Sequence, residues 1–317
     1  MIRVVKQSSR GFLAGCAVVM LMLSGTSCGE HKSPPPLSQP IRIAFGPANV
    51  LLVSDFTRRK VLILDRSTLA PLDFIAVGNV QKNVEGRPMA VGLIGNHIFV
   101  GNAYTSTVEV RDYSKLKKKP TYTLGLNNSD AHVKKPVDLA IAETAEKVFV
   151  LDQLSKVVKV FRLDGTLEST FPNDPSILET PTAIAVDDTT QEVFITDHGT
   201  FGSFSGGPGR IYIFDFAGEL QGQIVGEESS SGFDFGRPMG VDVIPGGIFV
   251  VDGVLGQVLI FDRTTLKGIG TLGKLGTNPG ELFAPTAVLV DDATKDVYVT
   301  SANPARVEVF KQGGLVP

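Results

Sequence analysis

An all-β ring of six small antiparallel sheets, a six-bladed β-propeller, is the fold this sequence predicts, on three observations. A proline recurs at Pro40, Pro88, Pro136, Pro181, Pro238 and Pro285, at spacings of 48, 48, 45, 57 and 47 residues. After each proline come three short apolar-rich runs separated by turn residues, with no room between them for a helix of ordinary length. A period of 45 to 50 residues with several strands per unit is the signature of one blade per repeat, and the 278 residues from Pro40 to Pro317 hold six.

The first strand of each unit follows directly from its proline. Its third residue is Ile43, Val91, Leu139, Ile184, Val241 or Val288, and its fifth is Phe45, Leu93, Ile141, Val186, Val243 or Val290, all apolar. The second residue is Ala90, Ala183, Gly240 or Ala287 in four units, and the fourth is Ala44, Gly92, Ala140 or Ala185 in four. One strand face is therefore bulky and the other small, as close stacking of sheets on both sides requires. Charges interrupt the small pattern at Arg42, Asp138 and Asp242, and Leu289 interrupts it once more. First strands are innermost in such a ring, so these charges are expected near a central channel. A charge there is costly unless paired or wet, which leaves a packing ion network and a polar binding site as the two readings.

Second strands follow as VLLVSD, HIFVGN, KVFVLD, EVFITD, GIFVVD and DVYVTS, and third strands as VLILD, VEVRD, VVKVF, IYIFD, VLIFD and VEVF. These runs resemble the repeats of the NHL family of six-bladed propellers, which read as proline, a small-apolar strand, a turn, V-Y-V-x-D, a turn and R-V-x-V-F. The resemblance covers about residues 37 to 311; VYVTSANPARVEVF is also similar to the YVTN type of propeller repeat. The chain has no Trp, which argues against WD40 blades and tryptophan-docked quinone propellers. Fold is what the resemblance implies; it leaves the function open, because propellers host many activities.

Ahead of the ring, Arg3, Lys6 and Arg10 form a basic segment and Gly11 to Leu23 an apolar one too short for a free-standing membrane span. Ser24-Gly25-Thr26-Ser27-Cys28 then resembles the end of a bacterial lipoprotein signal. The expected organisation is a cleaved signal over 1–27, a lipidated Cys28 with a proline-rich spacer over 28–36, and the propeller over 37–317. Cleavage before Cys16 is rejected because it would leave the apolar run Ala17 to Leu23 on the mature chain. Gly29 after the cysteine, by the same resemblance, points to the outer membrane of a bacterial envelope, with the lipid as the only membrane contact.

Two cysteines are all the chain has, and this assignment removes both from the fold. Disulfides, cysteine-held zinc, iron–sulfur clusters, covalent haem and a cysteine nucleophile are thereby excluded, and a domain of this size buries enough core to need no staple. Losing residues 1–27 takes away three positive charges and no acid, so the formal net charge moves from −3 to −6. Such a surface suits no nucleic acid.

Most local signals read structurally. Asp55, Asp152, Asp197 and Asp252 end second strands, with Asn102 and Ser301 in the other units, and repetition in every unit suits turn capping. Asp187-Asp188 and Asp291-Asp292 lack the glycine and distal glutamate of a calcium loop. Gly268-Ile269-Gly270-Thr271-Leu272-Gly273 spells GxGxxG but precedes no helix, so it reads as a fourth strand. The lysines at 115 and 117–119 read as a solvated turn. An apolar residue three before the proline, as in LSQP, LETP, FGRP and LFAP, is expected to tuck under its blade. The final unit leaves little sequence for a fourth strand after VEVF, so closure of the ring needs a short strand or help from residues 29–36.

Two functional features remain. His132 and His198 fall on one face of the ring and His97 on the other, so the three-histidine zinc site of the amidating lyase related to NHL propellers is not expected. The insertion HGTFGSFSGGPGR, His198 to Arg210, carries Phe201 and Phe204 on the face shared with His132 and Arg42. The expectation is an envelope-anchored binding or scaffold protein with no cofactor or metal, taking a protein partner or a small ligand through Arg42, His132, Asp138, His198, Phe201, Phe204, Arg210 and Asp242. The alternative is a metal-dependent, lactonase-like hydrolase with Asp138 and Asp242 at the channel.

Overall fold

The computed structural model describes residues 36–78, 86–126, 128–199, 208–226 and 232–311. Residues 1–35, which include the expected signal, Cys28 and all of the expected spacer but Pro36, lie outside them, as do Phe201 and Phe204. The described residues form six antiparallel sheets, each built outward from its proline in sequence order. Five have four strands; among the described residues the sixth has three, ending with Ala305–Phe310. The GxGxxG stretch is the fourth strand of blade 5, Gly268–Leu272.

The first strands, such as Pro40–Phe45 and Pro136–Ala142, pair on one side only and turn their other edges to a central channel. Their close approach explains the small residues. A Cβ added at Gly240 would stand 2.7 Å from Ala287 Cα on the next blade, and one at Gly92 would stand 2.6 Å from Leu139 Cδ1. In every blade the register slips at the residue after the proline, a bulge. Bulges re-aim side chains, and these six residues ring one mouth of the channel.

The hydrophobic core is six cores, one between each pair of neighbouring blades. Phe99 packs among the side chains of blade 3, Phe194 between blades 4 and 5, and Tyr298 against blade 1. Phe99, Phe149, Phe194 and Phe249 occupy the same second-strand position and are almost wholly buried. Truncating a buried Phe typically costs about 3–5 kcal/mol. The residues three before the prolines seat where expected: Leu178 and Leu282 are fully buried, and Leu37 and Phe235 pack against their clusters.

Closure between blades 6 and 1 uses polar contacts as well as the shared core. Thr286 Oγ1 donates to Pro40 O at 2.9 Å, and Arg66 pairs with Asp291 while its Nε donates to Tyr298 Oη at 2.9 Å. The same ion pair recurs between blades 5 and 4, where Arg263 meets Asp187 and Glu192.

Candidate functional site

The aspartates that end the second strands cap their own turns and do something further. Asp197 accepts from Gly199 N at 2.8 Å in its own turn, and also from Glu179 N at 2.7 Å and Thr180 N at 2.9 Å, in the segment leading into the first strand. Asp55, Asp152 and Asp252 do likewise. Each carboxylate thus pins the loop that sets one face of the ring, and that face inherits rigid loop bases.

In the channel, Arg42 reaches across the ring. Its guanidinium donates to Ile41 O at 2.9 Å, to Thr286 O at 3.1 Å on blade 6 and to Thr182 O on blade 4. Its Nε lies 2.9 Å from Asp138 Oδ2 on blade 3, an ion pair. Asp138 also accepts from Leu139 N at 3.0 Å and Ile184 N at 3.1 Å. Burial pushes its carboxyl above the usual range, and the Arg42 charge and these two amides oppose that shift. Arg42 and Asp138 together satisfy strand-edge groups of blades 1, 3, 4 and 6 and divide the channel into two cavities.

The cavity on the face of the blade-4 insertion has a volume of about 210 Å³. Around the ring of bulge residues stand Arg42, Lys135, Gln153, His198 and Arg237, with no carboxylate among the described lining residues. Lys135 Nζ donates to the neutral Gln153 Oε1 at 2.6 Å, and Gln153 Nε2 in turn donates to Pro181 O at 2.8 Å. Burial, and then the Arg237 charge, hold the His198 imidazole below its ordinary pKa, so it is neutral near pH 7. Around it, on turns between second and third strands, Tyr104, Leu154 and Val254 are 56%, 66% and 52% exposed.

The opposite cavity has a volume of about 260 Å³ and takes lining from all six first strands. Asp242 accepts from Val243 N at 2.9 Å and from Val290 N of blade 6 at 2.6 Å. Although part of the residue meets the cavity, protein surrounds the carboxyl closely enough that burial, aided by the Asp138 charge, pushes its pKa up to about 7.

The residues singled out from the sequence are thus distributed over several places. Arg42 and Asp138 form one pair, Asp242 lies in the cavity on one side of it and His198 lines the cavity on the other. His132 is exposed and lines a separate cavity between blades 2 and 3. Arg210, at the start of a third strand, is 3.2 Å from Gln223 on the fourth strand. Phe201 and Phe204 lie outside the described residues. Lys115 and Lys117 pair with Asp112 and Asp73. Sequence reasoning missed Lys135, Gln153 and Arg237, although a signal existed: Arg87, Lys135 and Arg237 each immediately precede a repeat proline.

Among the described residues no group of three or more His, Cys, Asp or Glu could hold a metal ion. No family model matches this chain, and no curated protein does. Among solved structures, the hydrazine synthase of Kuenenia stuttgartiensis is similar with a TM-score of 0.61 at 14% identity, over 92% of this chain and 100% of that one. At that identity the likeness is one of fold.

Proposed function

We propose that this propeller is a binding protein of the bacterial envelope, and that it works through the face bearing the blade-4 insertion by taking a protein partner that presents carboxylates to the channel mouth. The observation that carries the reading is the sign of that mouth. Among the described residues the Lys135 side chain has only a neutral amide as its partner, on a chain whose overall charge is negative. A local field opposed to the net charge selects partners by steering and orientation. Tyr104, Leu154 and Val254 add exposed apolar tips around it, the combination of apolar anchor and polar complement that protein interfaces use.

The hydrolase alternative gains no such support. A divalent ion at Asp138 would sit beside the Arg42 guanidinium, and both oxygens of Asp138 already have partners.

Replacing Lys135 by Glu together with Leu154 by Ser leaves the blade cores untouched. Formaldehyde crosslinking in cells should give a discrete adduct with wild type and severalfold less with the double variant at equal protein level. An undiminished adduct would remove the basis for this face. The tether belongs to the same reading. Cys28→Ser should release the protein from the membrane fraction and Cys16→Ser should not; retention of both variants would show that the lipid assignment is wrong.

A further inference from the structure

The cavity on the other side of the Arg42–Asp138 pair has a different chemistry, and it owes nothing to the face proposed above. Its floor is that ion pair, in which Arg42 is consumed by Asp138 and three carbonyl groups. Its wall holds Asp242, whose only partners are two backbone amides, with no cation among the described residues paired to it. Toward the opening stand Phe45, Leu93, Ile141, Val186 and Leu289, with Glu143 exposed beyond them. Phe45 is held in place by Arg66 stacked at 4.6 Å and by the edge of Tyr298.

We propose that this cavity is a binding site for a small organic monocation, an alkylammonium, whose charged head pairs with Asp242 and whose apolar part lies against Phe45, Leu93, Ile141, Val186 and Leu289. Space, charge and lining each narrow the class. About 260 Å³ holds several non-hydrogen atoms, given that a water occupies about 30 Å³ of liquid. An ionised Asp242 in that position lacks a counter-ion, and an ammonium supplies one together with three donors. A divalent metal is disfavoured because it needs several oxygen ligands, and the nearby Asp138 is already neutralised by Arg42. An anion would meet Asp242, Asp138 and Glu143 with the single cation already engaged.

Binding must then be linked to protons. The charged and titratable groups facing Asp242 from the other elements of the cavity are Arg42, Asp138 and Glu143. Burial and the Asp138 charge push the Asp242 pKa up to about 7, so lowering the pH protonates it, and an ammonium that pairs with its ionised form competes with that proton.

The test is calorimetric titration of the purified full-length chain with n-butylammonium chloride, using n-butanol as the neutral analogue and calcium chloride as the metal control. Butylammonium should bind, butanol and calcium should not, and affinity should be about tenfold weaker at pH 6 than at pH 8. Titrations at pH 6 in buffers of different ionisation enthalpy should report release of a proton on binding, and release should fall at pH 8. Asp242→Asn should abolish binding. Equal binding of butanol, or no butylammonium binding at pH 8, would each overturn the site. The comparison of butylammonium with butanol needs no variant, so a poorly folding Asp242→Asn does not remove the test.

Discussion

At the scale of residues, the channel is where charge and packing meet. The inner edge of each first strand presents backbone groups with no neighbouring strand, and Arg42, Asp138 and Asp242 are used to satisfy them. Their positions were legible in the sequence as breaks in a small-residue pattern. The pairing of Arg42 with Asp138 was not, since nothing local links residues almost a hundred positions apart. Nor did the sequence mark Thr182 and Thr286, whose hydroxyls donate to the proline carbonyls of the next blade, at Pro238 and Pro40, both at 2.9 Å. The ion pair makes a specific energetic prediction. Asp138→Ala leaves a buried guanidinium without its carboxylate and should cost about 3–5 kcal/mol, while Arg42→Ala with Asp138→Ala should recover much of that. Chemical denaturation of the four forms measures the coupling; a double variant as unstable as the sum of the single ones would show that the two side chains act independently.

At the scale of elements, the repeat was readable because a strand alternates with period two and each blade needs the same few parts. The fully buried second-strand Phe, the capping carboxylate and the proline entry all recur at fixed offsets. Less legible was that each carboxylate also ties down the loop before its own first strand, because that contact closes over fifteen to eighteen residues. The six blades provide an internal comparison. Asp252 accepts from Arg237 N at 2.7 Å and from Val254 N and Leu255 N, both at 2.9 Å, whereas the equivalent Ser301 has a buried hydroxyl with no partner. Asp252→Ala should therefore cost about 2–4 kcal/mol by stranding several amides. Ser301→Ala should fall within about 0.5 kcal/mol of wild type, as substitutions that break no such feature do. Thermal melts of the two variants decide it, and equal losses would mean that the tether adds nothing to the turn.

At the scale of the whole molecule, the ring sets two cavities of different lining on one axis, with Lys135, Gln153 and His198 on the face of the insertion and Asp242 on the other, and with Arg42 and Asp138 between them. The fold was legible from the repeat; the polarity of the channel was not, because it depends on which single charges from separate blades meet there. In the proposed function the partner occupies the insertion face. The most direct measurement places a photo-crosslinking residue singly at Leu154 and Val254 on that face, and at Glu146 and Asp188 on the opposite turns, in cells expressing the full chain. Adducts of one common mass at positions 154 and 254, absent at 146 and 188 and weakened by Lys135→Glu, are the predicted result. Adducts of equal yield on both faces, or only at 146 and 188, would contradict it.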